Sequence, residues 1–185
     1  MFKENCGKTQ RIFEKYDAIY QLEPVETECK VSKTLFEYCK RKNHFILLLI
    51  YSNDGKVALL RSLTNSLGWE LPGGSIRQDE TVYEAINRIA KQVYPNVKVC
   101  DVEPVLKITN TYVYKDAQTI HHGLGFIARI RNFQDVDMAK MVGDFVDVTK
   151  EERAYIERNA SKKMVDIFLE RFNQICNQTN YCFQD

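Results

Sequence analysis

The stretch "GWELPGGSIRQDETVYEAINRIAKQVYPN", residues 68 to 96, constrains this chain more than any other segment. Leu71-Pro72-Gly73-Gly74 stands between a strand-like run and a helix-like one. Glycines at such a joint have no Cβ, so backbone amides and carbonyls can approach a phosphate or its metal closely. From Gly74 the spacing runs over five residues to Glu80 and over seven more to Arg88. After Arg88 the helix turns apolar: Ile89 and Val93, four residues apart, share one face with the neutral Gln92 beside them. The joint therefore starts like a phosphate-handling loop and finishes like a buried helix.

The flanking segments supply the rest of an α/β chain. "KNHFILLLIYSNDGKVALLRS", 42 to 62, holds two apolar runs around Asn53-Asp54-Gly55 and predicts a hairpin, since Asp-Gly supplies the positive φ of a tight turn. Over 81 to 94, Val82, Ala85, Ile86, Ile89, Ala90 and Val93 recur at helical spacing, Thr81 and Glu84 form a capping box, and Pro95 closes the end. Segments 97 to 114 and 118 to 131, separated by Lys115-Asp116, predict a second hairpin. A short strand near 143 to 148, a capping box at Thr149 and Glu152, and an amphipathic helix over 161 to 176 complete the order.

Residues 1 to 42 are expected to form an N-terminal extension packed on a core domain that spans 43 to 185. A short helix capped by Ser32 fits 32 to 42, while "VETECKVSKTLF", 25 to 36, also fits alternation, so periodicity leaves both open. Lys40, Arg41 and Lys42 with His44 read as a solvated turn before a buried strand, with a phosphate contact as the alternative.

Composition narrows the function classes. Hydrophobic residues make up 44% of the 185, charged residues 28%, and the net charge is +1. That mixture builds one core and gives no general attraction to nucleic acid or to an anionic membrane. The six cysteines show no C-x-x-C pair or zinc-ligand spacing, so reduced thiols are expected. With no apolar leader at "MFKENCGKTQ" and no run long enough to span a bilayer, the expectation is a cytoplasmic protein. The sequons at Asn159 and Asn177 are then chance matches.

The sequence Gly74-x5-Glu80-x7-Arg88, preceded by Trp69 and followed by a helix, resembles the Nudix box, G-x5-E-x7-R-E-U-x-E-E-x-G-U with U aliphatic. In element order the resemblance extends over residues 43 to 176. It implies an α/β/α sandwich with a mixed sheet, and cleavage of nucleoside diphosphates linked to another group with Mg²⁺ or Mn²⁺ held by box glutamates. Glu80 and Arg88 match the ion pair that ties loop to helix in that family. The glutamates expected after Arg88 fall on Ile89, Gln92 and Val93, and the later glycine and aliphatic residue on Pro95 and Asn96. Ile and Val offer a hard cation no oxygen, and Gln brings no charge.

"GGSIRQDETVYEAINR" and "IHHGLGF" are also similar to parts of GDP-mannose mannosyl hydrolases, a branch of the family that cleaves the sugar carbon to oxygen bond with one metal and a histidine base. This chain departs from them at Val93 and at "MVGD", 141 to 144, which offers no histidine. The resemblance implies as catalytic candidates Asp144, His121, His122 and Glu80, and as ligand or phosphate contacts Gly73, Gly74, Arg88, Trp69 and Arg61. Gly74, Gln92 and Asp144 are the candidates for one weakly held ion. His121 and His122, adjacent on a strand, point to opposite faces, so at most one looks into a cleft.

Two functions stay open. One is a divergent hydrolase of a nucleoside diphosphate-linked compound, a nucleotide-sugar in particular, with a weakly held Mg²⁺ or Mn²⁺. The other is a catalytically silent module that binds a ligand or a protein. The expected partner is a nucleotide-type small molecule, with no membrane and no nucleic acid; self-association stays open.

Overall fold

The computed structural model describes residues 14–16, 18–40, 44–61, 69–131, 143–146 and 162–178. Helical turns at 14–16 and 18–20 lead into strand β1 (Glu23–Lys30) and helix α1 (Lys33–Lys40). There follow β2 (Phe45–Tyr51), β3 (Val57–Arg61), β4 (Trp69–Glu70), β5 (Gly73–Ser75) and helix α2 (Val82–Ala90). The long strands β6 (Val99–Tyr114) and β7 (Ala117–Ile130), the short β8 (Gly143–Val146) and helix α3 (Lys162–Gln178) complete the elements. The expected capping box at Thr149 and Glu152 and the basic pair Arg41 and Lys42 lie outside the described residues.

One mixed sheet runs β1-β6-β7-β2-β3-β4, with β5 on β2 and β8 on β3. Its centre explains the unbroken apolar run of β2. That strand pairs in parallel with Gly123–Arg129 of β7 and is covered on both faces. Ile46, Leu48 and Ile50 join the core under α2, with Ile86, Ile89, Leu124 and Phe126. Leu49 and Tyr51 join the opposite core under α3, with Leu106, Ile127, Phe168 and Phe172. Alternation at period two thus feeds two cores from one strand, which makes an α/β/α sandwich.

Both predicted hairpins form. Tyr51 is paired with Val57 across the first, where Gly55 takes φ +81°, and Tyr114 with Ala117 across the second, where Lys115 takes φ 52°. Of the N-terminal 42 residues, β1 adds a parallel edge strand along Leu106–Val113 of β6. The two readings divide the segment: 25 to 30 belongs to β1, and helix α1 takes over at Lys33. Ser32 caps it, with the Leu35 amide donating to Ser32 Oγ at 3.3 Å and the Phe36 amide to the Ser32 carbonyl at 2.9 Å. Helix α2 stops at Ala90, earlier than the apolar periodicity suggests, and Val93 reaches the core from a turn instead.

No disulfide joins the described cysteines, Cys29, Cys39, Cys100 and Cys176. Among the described residues no helix is long and apolar enough to cross a membrane. Gly125 lies tight under α3: a Cβ there would come within 2.8 Å of Phe168 Cζ and 2.9 Å of Leu106 Cβ. Gly125→Ala is therefore expected to destabilise the protein by about 1–3 kcal/mol through overpacking. Thermal denaturation checks this, and an unchanged melting point would mean α3 has slack.

Candidate functional site

The glycine joint is pinned to the middle of the sheet. Gly73, Gly74 and Ser75 pair with Leu47, Ile46 and Phe45, the Leu48 amide donates to the Pro72 carbonyl at 2.8 Å, and the Ile76 amide donates to the His44 carbonyl at 2.9 Å. A Cβ on Gly73 would sit 3.1 Å from the Ile46 carbonyl oxygen, so the backbones meet there more closely than a side chain comfortably allows.

Glu80 and Arg88 lock this joint to α2. Arg88 Nε donates to Glu80 Oε1 at 2.6 Å and Arg88 Nη2 to Glu80 Oε2 at 2.7 Å, while Nη2 also reaches the Ser75 carbonyl at 2.8 Å. Arg77 closes the turn by donating its amide to Glu80 Oε2 at 2.8 Å. The Arg88 hydrogen bonds hold the Glu80 carboxyl below its usual pKa, and the same pairing raises that of Arg88. Both candidates are thus engaged as a two-pronged ion pair between loop and helix. Thr81 and Glu84 cap that helix reciprocally: the Glu84 amide donates to Thr81 Oγ1 at 3.2 Å and the Thr81 amide to Glu84 Oε2 at 2.8 Å.

Arg88→Ala is expected to cost about 2 kcal/mol, the upper range for charged hydrogen bonds discounted for partial exposure. It should also let the Glu80 carboxyl rise toward the ordinary glutamate value of 4.5. Stability contributed by the depressed Glu80 pKa is present above that value and lost as pH falls through the folded one. Chemical denaturation with an NMR titration of Glu80 measures both, and an Arg88→Ala protein of wild-type stability would show the pair to be ornamental.

Gly74 looks onto the part of α2 where box glutamates would stand. A Cβ at Gly74 would lie 3.6 Å from Ile89 Cγ1 and 3.8 Å from Gln92 Nε2. Ile89 and Val93 are completely buried, and each gains about 1.5–3 kcal/mol by leaving water. Gly74 and Gln92 are thus brought together as the sequence suggests, but Ile89 and Val93 are core residues that no ion can reach or use. This donor set does not fit a glutamate-held cation cluster. Among the described residues, no three His, Cys, Asp or Glu side chains are grouped to hold a metal. Asp144 is placed by its backbone, paired with Leu59 on β3; Arg61 and Trp69 pair with each other across β3 and β4.

The two adjacent histidines divide as a strand requires. His121 turns to the α1 side, where Nε2 hydrogen-bonds the Cys39 carbonyl and the ring meets Tyr112 edge-on at 5.3 Å. It holds α1 to the sheet. His122 turns to the α2 face, stacks on His44 with centroids 5.9 Å apart, and lies 3.4 Å from Thr109 Oγ1 through Nδ1. Burial, then the Lys107 charge, lower the His122 pKa, and burial, then His122, push that of His44 down to about 4.

Thr109, His122 and His44 thus form a polar row across β6, β7 and β2, ending at Ile76 of the glycine joint. Lys107 stands one step along on the same face, opposite Leu124. Nothing local marks Lys107 and Thr109 as site residues, and the basic cluster that flags His44 gives no hint of its partner, because only the parallel register of β2 on β7 puts residue 44 beside residue 122.

No family model matches the sequence, and no curated protein matches it. Solved structures that superpose on it include the following two. One is a Nudix hydrolase from Nitrosomonas europaea, with 13% identity, 70% of this chain and 90% of that chain covered, and a TM-score of 0.50. The other is a mutator MutT protein from Bacillus halodurans, with 13% identity, 66% of this chain and 79% of that one covered, and a TM-score of 0.50. At that identity the likeness speaks for architecture alone, and together with the mixed sheet, the flanking helices and the loop-to-helix joint it shows that this chain has the Nudix fold.

Proposed function

We propose that this protein binds a nucleoside diphosphate-linked compound, a nucleotide-sugar in particular, without the glutamate-held cations of a Nudix box. The carrying observation is the burial of Ile89, opposite Gly74, and of Val93. Those positions stabilise the fold and give a cation nothing to hold. What supports a diphosphate ligand is the polar row on the α2 face of the sheet, where the Lys107 ammonium brings positive charge and neutral His122 and Thr109 bring hydrogen-bonding groups. The sugar preference follows the sequence likeness of "IHHGLGF" and the glycine joint to nucleotide-sugar enzymes.

Thermal melts with GDP-, UDP- and ADP-sugars in EDTA test the proposal. Saturating the right ligand at about a hundred times Kd is expected to add about 2.7 kcal/mol. That stabilisation should survive chelation, leave the ligand intact, and shrink in Lys107→Ala and His122→Ala. Recovery of cleaved product, or stabilisation that EDTA abolishes, would overturn it.

A second reading, slow hydrolysis, is favoured by one feature: His122 has a lowered pKa and is therefore an uncharged base at neutral pH, able to take a proton from an attacking water. On that reading turnover disappears in His122→Gln and falls in Asp144→Asn.

A further inference from the structure

Ahead of β1, Tyr16 and Tyr20 stack with ring centroids 5.9 Å apart, and Tyr16 sets its edge against Phe126 at 5.8 Å. Tyr83, from the first turn of α2, lines the same hollow and is 61% exposed; Tyr20 is 51% exposed. The remaining walls are apolar: Ile86 and Phe126 are almost fully buried, and Val102 and Pro104 complete the lining of a cavity of about 150 Å³. That is about half the lower limit of roughly 300 Å³ for a pocket that takes a drug-sized molecule. It suits a single ring system. Two exposed tyrosine rings over a buried apolar floor match a flat group with an apolar face, and the tyrosines are the lining residues whose side chains carry polar atoms.

We infer that the Tyr16, Tyr20 and Tyr83 cleft holds a planar heteroaromatic ring of nucleobase size, so that Tyr16 and Tyr20 form one wall of a ligand site. The cleft is not part of the glycine joint. Its lining takes Tyr83 and Ile86 from α2 and neither glycine of the joint, whereas Ile89 and Gln92 are the residues that stand beside Gly74. On β7, however, Phe126, Leu124 and His122 succeed one another on the same face, opposite Pro104, Lys107 and Thr109 of β6. Four residues of strand span about 13 Å. A nucleotide whose base sits in the cleft would reach Lys107 along the β6 side, because Leu124 and Phe126 of β7 are buried under α2. This last step rests on the proposed function; the ring site itself does not.

Adenosine, guanosine, cytidine, uridine and inorganic pyrophosphate are the probes, titrated by calorimetry against wild type, Tyr20→Ala, Tyr83→Ala and Tyr83→Phe. Both exposed tyrosines can be truncated without emptying the core. At least one nucleoside is expected to bind, about tenfold or more weakly in Tyr83→Ala, and close to normally in Tyr83→Phe, which keeps the stacking face. Pyrophosphate binding should be unchanged in all three variants. Nucleoside binding that ignores both alanine variants overturns the ring site, as does pyrophosphate binding with no nucleoside binding, and each leaves the diphosphate reading standing. Nucleosides held through the tyrosines with no affinity for pyrophosphate or nucleotide-sugars would keep the ring site and refute the diphosphate reading. Binding of neither probe refutes both.

Discussion

Ile89→Glu is expected to destabilise the protein by roughly 3–5 kcal/mol, a large share of the stability of a domain this size. Ile89 has no exposed surface and packs in the core that joins α2 to Ile46, Leu48 and Leu124. A carboxylate there must shed its hydration without a cationic partner, or take up a proton and remain a badly packed acid. Arg88 cannot serve as that partner cheaply, because Glu80 already occupies its guanidinium on two atoms. Ile89→Val, which trims one methyl group, should cost only about 0.5–1.5 kcal/mol. Urea unfolding of the two variants gives the comparison. If Ile89→Glu lost less than Ile89→Val, position 89 would be hydrated enough to hold a ligand for a cation, and its burial would no longer speak against one.

Acidification from pH 7 to pH 5 is expected to remove about 2 kcal/mol of stability through His44 alone. Its folded pKa of about 4 lies below the ordinary histidine value of 6.5. In that window the unfolded chain binds the proton and the folded one does not, so stability is fully present above 6.5 and is lost as pH falls toward 4. His122, lowered in the same sense by burial and by Lys107, adds to the loss. The depressed carboxyl of Glu80 acts below the ordinary glutamate value of 4.5, outside most of this range. Denaturant unfolding of wild type and His44→Gln at pH 7 and pH 5 isolates the contribution: the variant starts less stable but loses much less on acidification. Equal losses in the two proteins would mean that His44 titrates normally.

Local chemistry made part of this legible in the sequence. Asp54-Gly55 announces its turn, Thr81 and Glu84 their cap, and the x7 spacing of Glu80 and Arg88 puts an acid and a base where a loop can be strapped to a helix. Ile89 also reads correctly as buried, because helical periodicity carries that information directly, while Val93 is buried from a turn past the helix end. What escaped is non-local. Alternation over 25 to 36 leaves β1 as one open reading, but its partner lies some eighty residues away on β6. The pairing of His44 with His122 depends on a parallel register set by β2 and β7 together, and the role of His121 in holding α1 on the position of Cys39. The tyrosine cleft collects residues from 16 to 126 and has no motif at all.

The central claim, that α2 stabilises the fold instead of gathering cations, is tested most directly by crystals soaked in Mn²⁺ and measured at the manganese absorption edge. No anomalous peak is expected against residues 89 to 93, with Ile89 still packed against Gly74 and Val93 still in the core. Two or more well-ordered ions bound along that helix would contradict it.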